Sequence, residues 1–250
     1  MSEVQQAPFE SGFKPFEFKL GKAPAVRPDL AMLHTYFKGG VFPVAPTECE
    51  WAMKVLYPMA LNGTFGDCVV AGHIHLSQAV AAENGGTYVV PADPEIQQEY
   101  FLLTGGADTG LVESTFLSTA KSSPILGSQV DVFCPFDFTN VDHVKSAIYL
   151  FGGVFLGVSL PQSAEAQFPG EWIVVPGSSI VGGHCVVAIG YDETGVYLVT
   201  WGTVIKATWE WFLKYVDEAY AVLYTEQVQK DRGPLDTLDI AQLRADIASL

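Results

Sequence analysis

The sequence predicts an α+β fold in which a helical lobe is followed by a β-rich lobe. Segments with helical character lie between residues 68 and 151, and short β-rich runs lie between residues 154 and 224. Helices that precede strands, rather than alternate with them, are typical of α+β proteins. The chain has 250 residues, 49% of them hydrophobic, and can therefore bury one sizeable core.

The first 48 residues contain six prolines and little periodicity, which predicts an extended N-terminal arm over the body with a short helix at 29–37. The run CVVAGHIHLSQAVAAE (68–83) is apolar almost all round and ends at Asn84-Gly85-Gly86, as expected for a central buried helix. Three more helices are predicted at 93–105, 110–123 and 140–151.

Four β-rich runs separated by turn residues follow, at 154–160, 184–192, 195–202 and 219–224. Hydrophobic residues recur near helical spacing in the tail at 235–250, which predicts an amphipathic helix that docks on the body or meets a partner. The predicted organisation is an arm (1–48), one domain (49–225) and a C-terminal helix (226–250). Within the domain, the helical lobe covers about 62–135 and the β lobe about 136–225.

Composition narrows the class of protein. With 13 basic and 28 acidic residues the net charge is -15, which argues against nucleic-acid and anionic-membrane partners. The N-terminus lacks the features of a signal peptide, so a cytoplasmic location is expected. The four cysteines have no C-x-x-C spacing and are expected to be reduced. The H-x-H pair at His73 and His75 lies on a predicted helix, where i and i+2 point apart, so no metal site is expected.

Cys68 is the candidate nucleophile, because it begins the central helix directly after a glycine-rich turn, Gly63-x-x-Gly66. The positive end of the helix dipole favours the thiolate, although the carboxylate of Asp67 opposes this effect. A nucleophilic cysteine needs a base, and His184 is the best candidate because it follows two glycines at the start of a β run.

These motifs together resemble the papain-like cysteine peptidase family. Residues 62–68 read NGTFGDC, similar to the family pattern Q-G-x-x-G-x-C, and Glu50-Trp51 and Pro58 stand near the family's upstream positions. Further along, HCVVAIGYD (184–192) is similar to the family's histidine strand, and LVTWG (198–202) to the N-S-W-G that follows it. The resemblance covers roughly residues 50–224.

The resemblance implies a papain-like fold with a cleft between the two lobes that holds a peptide or protein substrate. It implies Cys68 as nucleophile and His184 as base and later acid. Asn62 and the backbone N–H of Cys68 would form the oxyanion hole. The activity would be attack on an amide or other acyl carbon, by a peptidase, amidase or acyltransferase, with no metal or organic cofactor.

Two departures from the family pattern bear on activity. The orienting asparagine would fall on Val199, which has no acceptor; the next residue, Thr200, offers a hydroxyl that could accept from Nδ1 of His184 and leave Nε2 to face Cys68. Asn62 replaces the family's glutamine and is one methylene shorter. Loss of one oxyanion donor costs about 10²–10³ in rate.

The departures leave other classes of function open. The alternative is a catalytically weak or inactive papain-like module with a structural or binding role, for example in a bacteriophage virion. The arm and the C-terminal helix would then be contacts with a protein partner or with further copies of the chain. An effector that cleaves a host protein is a third alternative.

Overall fold

The computed structural model describes residues 18–50, 52–228 and 235–249. Within these ranges, eight α-helices and seven β-strands form a mixed structure in which helices pack against one antiparallel sheet. The predicted α+β class is confirmed. Trp51 and the first seventeen residues of the predicted arm lie outside the described residues.

The helices are α1 (Cys68–Glu83), α2 (Asp93–Leu103), α3 (Glu113–Ser122), α4 (Val141–Phe151), α5 (Gln162–Gln167), α6 (Trp209–Tyr215), α7 (Thr225–Val228) and α8 (Ile240–Ala248). The strands are β1 (Cys49–Glu50), β2 (Val130–Pro135), β3 (Val154–Pro161), β4 (Ile180–Tyr191), β5 (Gly195–Thr200), β6 (Thr203–Thr208) and β7 (Val216–Tyr224). The sheet order is β2-β7-β3-β4-β5-β6, and β1 pairs with β4.

The helices predicted in the first half are present as α1 to α4, and the short helix predicted at 29–37 is a 3-10 turn at Leu33–Tyr36. Strand β2 lies inside the range predicted for the helical lobe and pairs with β7, with Phe133 opposite Val222. The helical half of the sequence therefore supplies an edge strand of the sheet. Strand β6 and helices α5 and α6 have no counterpart among the predictions.

Helix α1 is buried over most of its length and packs against strands β3, β4 and β5 of the sheet. Gly72 allows this close packing: a Cβ there would lie 2.9 Å from Sγ of Cys185 on β4. Polar side chains on the helix bond to backbone carbonyls, with His73 Nε2 3.1 Å from the Ile125 oxygen and His75 Nε2 2.8 Å from the Pro58 oxygen. The core thus fixes the position of the first residue of α1, Cys68.

The C-terminal helix α8 packs on the body of its own chain. Its apolar residues Leu243 and Ile247 are buried, Tyr36 donates a 2.7 Å hydrogen bond to Asp246, and Arg244 pairs with Asp131 at 2.7 Å. Of the two outcomes predicted for the tail, the structure shows docking. Across the described residues, none of the helices combines the length and apolar character needed to cross a membrane.

Candidate active site

Cys68 is the first residue of α1 and is 1% exposed. In the turn before it, Leu61 adopts a left-handed backbone conformation with a φ of 67°. The N–H of Gly66 in the same turn donates a 2.9 Å hydrogen bond to Oδ1 of Asp108. A Cβ on Gly66 would lie 2.9 Å from the carbonyl oxygen of Leu20. The glycine therefore lets residue 20 of the N-terminal arm approach the turn, directly beside the thiol.

His184 lies on β4, is fully buried, and stacks on the indole of Trp201 with ring centroids 4.6 Å apart. Its Nε2 is 2.8 Å from the hydroxyl oxygen of Thr200, at the end of β5. The sequence predicts that Thr200 bonds to Nδ1, and this is wrong: the bond is to Nε2, because the ring projects from β4 with that nitrogen toward the end of β5. Nδ1 is the nitrogen without a hydrogen-bond partner among the described residues.

Cys68 and His184 lie on elements that pack against each other, α1 and β4, but among the described residues neither ring nitrogen of His184 hydrogen-bonds the Cys68 thiol. The backbone amide of Cys185, the residue after His184, lies near the Cys68 thiol and lowers its pKa. A second backbone amide, that of Gly21, also reaches the thiol. Helix α1, strand β4 and the N-terminal arm therefore meet at one sulfur atom.

Asn62 is 2% exposed, and its side-chain amide points at backbone carbonyls. Nδ2 donates to the carbonyl oxygen of Lys19 at 3.3 Å and to that of Phe65 at 3.4 Å. The first of these carbonyls belongs to the arm, and the second to the turn before Cys68. The amide thus already holds a peptide carbonyl of another segment close to the nucleophile candidate.

The ionisation of the pair differs from the expectation of a thiolate. Burial raises the pKa of the Cys68 thiol to about 12, and the two backbone amides offset this only in part. Burial and, as the smaller cause, the neighbouring His75 lower the pKa of His184 to about 3. With both groups buried, desolvation outweighs the helix dipole and favours a neutral thiol at Cys68 and a neutral imidazole at His184.

Asp67, immediately before Cys68, is fully buried. In the described part of the chain, neither of its carboxylate oxygens accepts a hydrogen bond. Burial raises its pKa to about 8, although the nearby Asn62 amide acts in the opposite direction. A negative charge on Asp67 would in turn raise the pKa of Cys68. A protonatable carboxyl therefore lies in contact with the candidate site.

The sequence predicts an arm over the body and leaves open whether it blocks the cleft; the structure gives the path of residues 18–23, here called the cleft segment. The Lys22 N–H donates to the Gly183 oxygen at 3.1 Å, and the Leu111 N–H donates to the Gly21 oxygen at 2.8 Å. The segment therefore bonds to β4 on one side and to the loop before α3 on the other, and it covers Cys68. A signal was present in FEFKLGK (16–22), where apolar and charged residues alternate as in a strand.

A further contact fixes the start of the cleft segment. The ring of Phe18 lies 4.6 Å from that of Trp201 and 5.8 Å from that of Phe168. Since Trp201 also stacks on His184, one aromatic group joins the cleft segment to the candidate base. The arm is thus integrated into the site.

Comparisons with known proteins identify the fold. The sequence matches no protein-family model and no curated protein. The structure is similar to xylellain, a cysteine protease from Xylella fastidiosa, with a TM-score of 0.66 and 13% identity over 84% of this chain and 98% of xylellain.

Two further solved structures are similar. Digestive procathepsin L 3 of the Tenebrio molitor larval midgut has a TM-score of 0.53 and 8% identity, over 83% of this chain and 76% of that one. The cysteine protease and lectin-like domains of Cwp84, a surface layer associated protein of Clostridium difficile, give 0.52 and 11%, over 68% and 49%. Identities this low concern architecture, and on that ground the chain has the papain-like cysteine protease fold.

Proposed function

We propose that the protein is a cysteine-type peptidase or amidase whose cleft is held closed by residues 18–23. The observation that carries this proposal is the hydrogen bond from Asn62 Nδ2 to the Lys19 carbonyl at 3.3 Å, beside Cys68. An amide donor that holds a peptide carbonyl next to a buried thiol is the arrangement that an oxyanion hole requires.

The chemistry follows from the roles of the side chains. With its Nε2 proton donated to Thr200 Oγ1, His184 keeps the lone pair of Nδ1 free, and in the open state this nitrogen would face the Cys68 thiol. Nδ1 takes the thiol proton as sulfur attacks the carbonyl carbon, and later gives it to the departing amine nitrogen. Water then attacks the thioester with His184 again as base, which releases the acid and restores the thiol.

In this proposal Thr200 is a positioning residue, and Asn62 with the Cys68 backbone N–H binds the oxyanion. The neutral pair of the closed state is consistent with latency, because desolvation disfavours both the thiolate and the imidazolium. Departure of the cleft segment would admit water and substrate and relieve that desolvation.

The test uses the full chain with Gly21→Ala. A Cβ at residue 21 would overlap the carbonyl oxygen of Gly66, so the substitution displaces the cleft segment. We expect iodoacetamide to modify Cys68 faster than in the unsubstituted chain, as measured by peptide mass spectrometry. Gly86→Ala is the matched control, since its Cβ would meet only the Ala81 oxygen at 3.4 Å, an ordinary contact.

Hydrolysis of a denatured protein substrate by the Gly21→Ala chain is the second measurement. It should vanish on addition of Cys68→Ala or His184→Ala. Faster alkylation without hydrolysis would favour the alternative, a papain-like module with a binding or structural role. Unchanged alkylation of Cys68 in Gly21→Ala would contradict the closed-cleft proposal itself.

A further inference from the structure

The side chain of Lys22 leaves the cleft segment and enters a pocket of carboxylates. Its side chain is 2% exposed, and Nζ lies 2.9 Å from Oδ1 of Asp217 and 2.9 Å from Oε1 of Glu218, both on β7. Buried ammonium groups are costly unless they are paired and hydrogen-bonded. The pocket therefore matches the charge of the side chain that fills it.

The body of the protein builds this pocket without help from the arm. Ser159 donates to Asp217 Oδ2 at 2.7 Å, and Tyr220 donates to Glu218 Oε2 at 3.0 Å, so both carboxylates are held in place. Gly157 on β3 provides the space, because a Cβ there would overlap both Cε of Lys22 and Cγ of Glu218.

A third carboxylate, Glu113 at the start of α3, is fully buried beside the Cys185 thiol. Neither carboxylate oxygen of Glu113 accepts a hydrogen bond from a nitrogen or oxygen donor among the described residues. Burial and the charge of Glu218 raise the pKa of Glu113, whereas the charge of Lys22 lowers it. The ammonium of Lys22 therefore pairs with Asp217 and Glu218, and its charge also acts on Glu113. These three carboxyl groups and Gly157 are here called the carboxylate pocket.

The carboxylate pocket opens next to the candidate reaction centre. The backbone N–H of Lys22 bonds to Gly183, the residue before His184, and the preceding Gly21 amide reaches the Cys68 thiol. Any extended chain that replaced the cleft segment on these backbone groups would place a side chain at the mouth of the same pocket.

We infer that the carboxylate pocket is a binding site for the side chain of lysine, and that substrates of the cleft are polypeptides that present a lysine there. The statement about substrates rests on the proposed function, whereas the preference of the pocket for a lysine side chain does not. A neutral side chain in this position would leave the buried Glu218 and Glu113 and the partly exposed Asp217 without a cation, which is unfavourable.

The first experiment measures binding without activity. Lys22→Ala in the full chain removes the atoms beyond Cβ, and n-propylammonium is the molecule that replaces them. We expect n-propylammonium to raise the Tm of Lys22→Ala, and to have little effect on the unsubstituted chain or on Lys22→Ala with Glu218→Gln. Neutral n-propanol is the control; equal stabilisation by n-propanol, or no effect of the amine, would overturn the inference.

The second experiment measures selectivity in the Gly21→Ala chain, with pairs of peptides that differ only in lysine or norleucine. We expect kcat/KM to favour the lysine peptide by about tenfold or more, as for a hydrogen bond between charged groups, and Glu218→Gln to reduce the ratio. Equal rates would contradict the inference. Hydrolysis of neither peptide, with amine rescue intact, would contradict only the proposed function.

Discussion

At the scale of single residues, the site depends on groups whose charges are set by burial. The sequence identifies Cys68, His184, Asn62 and Thr200; all four are buried in the structure, and His184 contacts Thr200. Their ionisation could not be predicted in the same way, because desolvation depends on what covers them. The cover is supplied by residues far away in the chain.

The bond from His184 to Thr200 leads to a prediction at this scale. In the Gly21→Ala background, Thr200→Val should leave Nε2 buried without an acceptor, at a cost of about 1–3 kcal/mol. Alkylation of Cys68 between pH 6 and 7 should slow, because the imidazole is no longer held with Nδ1 toward the thiol. The measurement is the rate of alkylation as a function of pH.

Two further variants complete that experiment. Thr200→Asn restores an acceptor and should retain the alkylation rate. Thr203→Val, at the residue opposite Thr200 in the β5–β6 pair, should leave the pH profile unchanged. If Thr200→Val loses stability but keeps the profile, Thr200 is structural only.

Asp67 gives a prediction about stability and pH. Its pKa is raised from 3.8 to about 8 in the folded chain, so between these values the unfolded chain is ionised while the folded chain keeps the proton. Stability should therefore fall as pH rises through this window, by about 1.4 kcal/mol per pH unit from this group. Asp67→Asn resembles the protonated acid and should remove this contribution.

The measurement is urea unfolding of both chains at pH 5 and pH 7.5. The difference between the two chains should change by about 3 kcal/mol across this range, in favour of Asp67→Asn at the higher pH. The exposed Asp29→Asn removes the same formal charge and serves as the control. A parallel pH dependence in the unsubstituted and Asp67→Asn chains would show that residue 67 is ionised throughout.

At the scale of elements, the sequence predicts α1 with its observed bounds because an all-round apolar helix with a clear glycine end has few alternatives. Strand β6 and helix α6 were missed because TVIKAT and WEWFLKY are short, and their pairing with β5 and the sheet is tertiary. Strand β2 was missed for a related reason: its partner, β7, lies almost ninety residues later in the chain. Phe133 of β2, for example, is paired with Val222 of β7.

The packing of α1 on β4 leads to a prediction at this scale. Gly72→Ala would place Cβ 2.9 Å from Cys185 Sγ and 3.1 Å from Phe155 Cε2. Overpacking of this kind costs about 1–3 kcal/mol, which should exceed the roughly 1 kcal/mol gained in helix propensity. Denaturant unfolding should show the net loss, and adding Cys185→Ala should recover part of it. A stabilised Gly72→Ala chain would mean that the helix can move away from β4.

At the scale of the whole molecule, the α+β class follows from the sequence, but the position of residues 18–23 does not. The arm was predicted to lie over the body, and whether it enters the site depends on backbone contacts such as that of Gly21 with Gly66. Such contacts involve no side chain, so their sequence signal is limited to a glycine and an alternating pattern. The carboxylate pocket was missed because Glu113 is far in sequence from the adjacent Asp217 and Glu218, and Lys22 is in the arm.

The covalent link between the cleft segment and the body has a kinetic consequence. A ligand tethered to its own receptor has an effective concentration on the order of millimolar, which dilution does not change. A free molecule binds only the fraction of chains in which the cleft segment has left the site, and its apparent affinity is reduced by that fraction. At high concentrations of reagent, the modification of Cys68 would therefore approach a ceiling equal to the opening rate of residues 18–23, the same for every reagent.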